Sequence, residues 1–172
     1  NAPEDVKGMK IRVMPSPQLV EQYKSWGANP IPIEYAELYN ALQQNIVDGQ
    51  ENPLQTIAMA KLYEVQEYLT ISNHGFLGYL FIINNKWFKQ HPADVQSLIV
   101  ECENAARKAE RDAQSAGEAK FLDQIKQSKI VIGELTAEHQ AKFVEVSKPL
   151  HAKFVKDNKN KTALLEAVYA AK

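Results

Sequence analysis

An α/β fold with a largely parallel sheet is predicted by three observations. The first half of the chain alternates short β-prone runs with helical runs. The connections between them are short. The second half is almost wholly helical, with one isolated Ile-Val-Ile run. Strand and helix alternating in this way mean βαβ units, whose consecutive strands lie parallel.

Residues 1–8 are polar and lead into a strand at Met9 to Val13. Pro15 to Trp26 reads as a helix, with Leu19, Tyr23 and Trp26 on one face and Gly27 as its stop. Pro30 to Ile33 is a second strand. Glu34 to Asn45 is a helix that buries Leu38, Tyr39 and Leu42 and carries Glu34 and Glu37 in its first turn. Ile46 to Gly49 is a third strand. Asn52-Pro53 starts a helix running to about Tyr63, because Asn suits the N-cap and Pro the first helical position. Leu69 to Ser72 is extended, and Phe76 to Asn84, a continuous apolar run, reads as a buried strand. Pro92 opens the longest helix, reaching about Gln127. Lys129 to Ile132 is a strand. Thr136 caps a helix kinked at Pro149, and Thr162 to Ala171 is the last helix.

The chain has 172 residues, a net charge of -1 and 24% charged residues, a composition of ordinary globular proteins. That charge offers no footprint for nucleic acid or an anionic membrane. No 18-residue apolar run is present, and no signal-peptide pattern. The single Cys102 excludes an intrachain disulfide and is expected to be a small buried hydrophobe beside Leu98 and Ile99.

Arg12 is the most informative residue. Arg107 and Arg111 lie in a charged helical stretch, but Arg12 sits in an apolar β-prone run. A guanidinium there needs an anionic partner, and it is the side chain best suited to grip a carboxylate through two parallel hydrogen bonds. The partner is either a ligand or a structural carboxylate, Glu51 or Asp48. Asn52 can offer its amide to the same anion or serve as a plain cap. Trp26, Phe76, Tyr79 and Phe81 are expected in the core. His74 has no second ligand at metal spacing, so neither metal nor cofactor is expected. Gly-x-Ser-x-Gly, Walker A, Gly-x-Gly-x-x-Gly and His-Glu-x-x-His motifs are absent, and no nucleophile–base pair identifies an enzyme.

Four runs in order carry a resemblance: Lys7-Gly8-Met9-Lys10-Ile11-Arg12-Val13, Tyr35-Ala36-Glu37-Leu38-Tyr39-Asn40-Ala41-Leu42-Gln43, Val47-Asp48-Gly49-Gln50-Glu51-Asn52-Pro53-Leu54 and Ser72-Asn73-His74-Gly75-Phe76-Leu77-Gly78-Tyr79. With Tyr63-Glu64-Val65-Gln66-Glu67-Tyr68-Leu69 between the last two, the chain resembles the periplasmic substrate-binding proteins of TRAP transporters, the DctP-like family. The resemblance implies a type II periplasmic-binding-protein fold with two α/β lobes around a cleft. It implies that Arg12 pairs with the substrate carboxylate and that Asn52 hydrogen-bonds it. It also places Tyr35 near the cleft, and Asn73 and His74 where the chain crosses between lobes.

Family members are nearly twice this length, so the resemblance implies a C-terminal portion. Residues 9–72 and 128–172 would form the ligand-anchoring lobe, and 73–127 the crossing strand and long helix shared with the other lobe. The function implied is that of a periplasmic receptor, not an enzyme. It would bind a small organic acid such as a C4-dicarboxylate and deliver it to the TRAP permease. An open inter-lobe face would allow a homodimer. A carboxylate-sensing interaction module and a small-molecule enzyme of α/β class are the other readings.

Overall fold

The computed structural model describes residues 2–171; Asn1 and Lys172, the ends of the expected lead-in and C-terminal segments, lie outside the described residues. Five strands and seven α-helices follow in the order β1 (Lys10–Val13), α1 (Pro17–Ser25), β2 (Asn29–Pro32), α2 (Leu38–Gln43), β3 (Gly49–Gln50), α3 (Leu54–Met59), β4 (Tyr68–Ile71), α4 (Asn85–Lys89), α5 (Ala93–Lys126), β5 (Val131–Glu134), α6 (Ala137–Asp157) and α7 (Thr162–Ala170). Two sheets result, with strand orders β2-β1-β3 and β4-β5. Every pairing is parallel, as the βαβ pattern requires.

Local chemistry accounts for the first βαβ unit. Ser16 caps α1 by accepting the Leu19 N–H, and Pro17 occupies the first turn. Gly27, at φ +85, turns the chain out of α1, and its carbonyl accepts the Gly8 N–H at 2.8 Å. A Cβ on Gly27 would meet Lys7 Cγ, Cβ and Cα at 3.5, 3.7 and 3.8 Å, ordinary van der Waals contacts. The cost of Gly27→Ala is therefore conformational, about 1–2 kcal/mol in urea denaturation.

Two apolar clusters hold the layers together. One joins Leu38, Ala41, Leu42, Val47, Ile57, Ala58 and Leu62 to Ile125 in the last turn of α5. The other joins Ile11, Val13, Tyr23, Trp26 and Ala28, with Phe143 of α6 packed against it. Two polar links also tie α6 to α1: Trp26 Nε1 donates to Ser147 Oγ at 2.9 Å, and Lys153 pairs with Glu21.

Several sequence-based expectations are corrected. Phe76 to Asn84 is not a strand, and Phe76, Tyr79, Phe81 and Ile82 are exposed rather than core. Among the described residues no strand pairs with this run, and a strand without a ladder partner has nothing to hold it extended. Cys102 is exposed, not buried. The helical period was read correctly, but along most of α5 the side chains stay exposed or half-buried, and among the described residues the helix joins the core cluster through its last turns. The third strand starts at Gly49 rather than Ile46, because Asn45 turns left-handed at φ 56 and Ile46 points to solvent. Residues 35–37 form a 3-10 turn before α2, α3 ends at Met59 where Lys61 turns left-handed, and β5 lies two residues later than expected. The short α4 was not anticipated, although Asn84 caps it by accepting the Trp87 N–H at 3.0 Å. Pro149 lies inside the sixth helix.

Candidate functional site

In parallel α/β sheets, ligand sites form beyond the carboxyl ends of the strands. Four segments leave strands at that end here: Met14 after β1, Ile33 to Tyr35 after β2, Glu51 and Asn52 after β3, and Ser72 to His74 after β4. All five candidate residues therefore fall at strand ends or just beyond them.

Arg12 lies on the central strand of its sheet, between Ile31 and Gln50, and is 2% exposed. Its Nε donates to the Ile33 carbonyl at 2.8 Å, which fixes the plane of the guanidinium. Among the described residues no carboxylate comes within 4 Å of it. The sole fully buried side-chain polar atom without a partner, among the described residues, is His91 Nε2, so the terminal nitrogens of Arg12 keep an opening to solvent. Asp48 is excluded as their partner, since it accepts the Lys10 N–H at 2.7 Å and sits 4.0 Å from Lys10 Nζ. Burial lowers the Arg12 pKa, and the fields of Glu51, Glu34 and Tyr35 oppose that shift.

Glu51 reaches toward the other side of the site. Its Oε2 lies 3.9 Å from His74 Nε2. His74 is held on both ring nitrogens, with Ser72 Oγ 2.7 Å from Nδ1 and Tyr23 Oη 3.3 Å from Nε2. Trp26 meets the imidazole edge-to-face at 5.5 Å between centroids. Burial raises Glu51, with Arg12 pulling back down, and burial lowers His74. Tyr23 is pushed well up by burial and then by Glu51, so its hydroxyl stays protonated.

Asn52 is not a helix cap: Pro53 occupies the N-cap position, and Asn52 Nδ2 instead donates to Gln50 Oε1 at 2.6 Å. Gln50 in turn donates to Gln66 Oε1 at 3.2 Å, which orients the amide pair along the strand ends. Tyr35 is 54% exposed, so it does not serve as buried helix-edge packing, and its field reaches Arg12. Asn73 is exposed and left-handed at φ 47, a turn that swings His74 back toward Tyr23. The structure thus gathers Arg12, Tyr35, Glu51 and His74. Asn52 stands on the same strand ends without a hydrogen bond to Arg12 among the described residues. Sequence reasoning missed Tyr23 and Ser72. The available signal was a tyrosine on a buried helix face, whose hydroxyl needs a partner. Among the described residues no group of His, Cys, Asp and Glu is arranged to hold a metal ion. A shallow concavity along α4 and α5, lined by Phe88, Gln96, Val100 and Asn104, includes none of these residues.

A parallel α/β lobe that buries a guanidinium at its strand ends, with open terminal nitrogens, has the chemistry to receive a small anion. The chain belongs to the bacterial extracellular solute-binding proteins, family 7 (DctP), whose model matches residues 1–158. It is 39% identical over 170 residues to the C4-dicarboxylate-binding periplasmic protein DctP of Vibrio cholerae, covering 98% of this chain and 50% of that one. It is similar to the solved TRAP periplasmic solute-binding protein of Sulfurospirillum deleyianum with bound succinate, at 35% identity and TM-score 0.86, covering 99% of this chain and 56% of that one. It is also similar to the sugar acid binding protein DctPAm of Advenella mimigardefordensis in complex with galactonate, at 34% identity and TM-score 0.89, covering 99% and 56%. The chain spans about half the length of these relatives. No helix among the described residues is long and apolar enough to cross a membrane.

Proposed function

We propose that this chain is the ligand-anchoring portion of a periplasmic solute receptor that binds a small organic acid and hands it to a TRAP permease. One observation carries the reading: a buried guanidinium whose terminal nitrogens have, among the described residues, no carboxylate within ion-pair distance. Arg12 grips the ligand carboxylate, Tyr35 flanks it, Asn52 turns its amide to the same group, and His74 closes the far side through Glu51. Residues 9–72 and 128–172 make the anchoring lobe, and 73–127 cross toward a second lobe that completes the cleft. This is binding without bond chemistry.

C4-dicarboxylates are the preferred ligands, with sugar acids next. The named ligands of the relatives share a carboxylate and differ at the other end, so the anchor alone does not choose among them. Relatives offer no support for a homodimer of this chain. Calorimetric titration of the full-length polypeptide with succinate, galactonate and the corresponding uncharged amides tests the reading. One acid binding and its amide failing supports it. Amides binding as well as acids, or neither acid binding, overturns it.

A further inference from the structure

The anchor is built with a competitor for its charge. Glu51 is the carboxylate whose field acts most on Arg12, its side chain is 20% exposed, and no hydrogen bond to it is made among the described residues. The field of Arg12 offsets its burial, and the imidazole of His74 stands 3.9 Å away. The groups acting on this pair are Arg12 from β1, Tyr23 from α1 and Ser72 after β4, while Glu34 and Tyr35 after β2 act on Arg12 itself. Trp26 and Phe143 supply the apolar wall behind them.

An incoming carboxylate changes the balance. A second carboxylate then enters the field of Arg12 in which Glu51 already lies, and like charges gathered at one site cannot both stay ionised without cost. A proton on either member of the pair relieves this. On Glu51 it removes the second negative charge. On His74 it supplies a new cation whose Nε2–H faces Glu51 Oε2.

We propose that binding of an organic-acid anion at Arg12 is coupled to uptake of one proton by the Glu51–His74 pair. The proposal rests on the reading of Arg12 as the ligand anchor. The directions of titration agree with it, because burial raises the carboxyl and lowers the imidazole, bringing the two toward one range. Two groups this close titrate as a pair rather than singly. The sign follows from linkage: the complex holds more protons than the free protein, so affinity rises as pH falls through the titration of the pair. The slope approaches about tenfold per pH unit for one proton.

Calorimetric titration of the full-length polypeptide with succinate, at neutral pH in HEPES and in Tris, measures the proton directly. The expected result is a binding enthalpy that differs between the buffers, in proportion to their ionisation enthalpies, by a fraction approaching one proton per succinate. Glu51→Gln loses that buffer dependence whatever its residual affinity. Tight succinate binding with one enthalpy in both buffers overturns the proton link and leaves the anchor standing. Binding of neither succinate nor galactonate to the wild type overturns both.

Discussion

Arg12→Ala is expected to weaken carboxylate binding by roughly 30-fold to several thousand-fold, the equivalent of about 2–5 kcal/mol for truncating one partner of a buried, hydrogen-bonded charge pair. Three losses add in the same direction. The ligand loses its two parallel N–H donors. The Ile33 carbonyl loses the Nε donor at 2.8 Å. Glu51 loses the cation that offsets its burial. Arg12→Lys separates charge from geometry, since an ammonium keeps the field but cannot bond Ile33 and present a planar fork at once. It should fall between wild type and alanine. The measurement is calorimetric titration of each folded variant, with circular dichroism to establish folding. A folded Arg12→Ala that binds within about threefold of wild type would place the anchor elsewhere.

Ile125→Ala should cost about 2–5 kcal/mol of stability, the range for a large-to-small change at a fully enclosed aliphatic position. Ile125 is 0% exposed and closes the cluster formed by α2, α3 and the turn that follows. It is also the point where α5 is fastened to the rest of the chain. Leu98→Ala, on the same helix but 57% exposed, should change stability by no more than about 0.5 kcal/mol in this 172-residue chain. Urea denaturation of the two variants side by side reads the contrast. Equal losses would mean that the upper part of α5 is packed in solution.

The first βαβ unit was legible because its signals are local. Gly27 stops the helix as read, Pro17 rather than Pro15 opens it, and the run around Arg12 is β-prone on both sides of its one charge. Arg12 stood out for the same reason: a cation in an apolar run must be explained wherever the chain goes. Phe76 to Asn84 failed because side-chain type signals a wish for burial but not who supplies the cover. Asn52-Pro53 misled in a subtler way. Both residues favour a helix start, but Pro53 holds an extended ψ of 152 and the helix begins one residue later, freeing Asn52 for Gln50. The Glu51–His74 contact joins residues 23 apart in sequence, through the left-handed turn at Asn73, and no local pattern announces it.

The indole of Trp26 has an optical consequence. It is one of two tryptophans, buried, hydrogen-bonded to Ser147 and in edge-to-face contact with His74. An imidazolium accepts an electron from an excited indole more readily than a neutral imidazole does, so emission from Trp26 should dim when His74 gains a proton. Trp87 is the second tryptophan, and Trp87→Phe leaves Trp26 as the one indole emitter. The fold thus carries a built-in fluorophore for the protonation state of its own binding site, readable without any label.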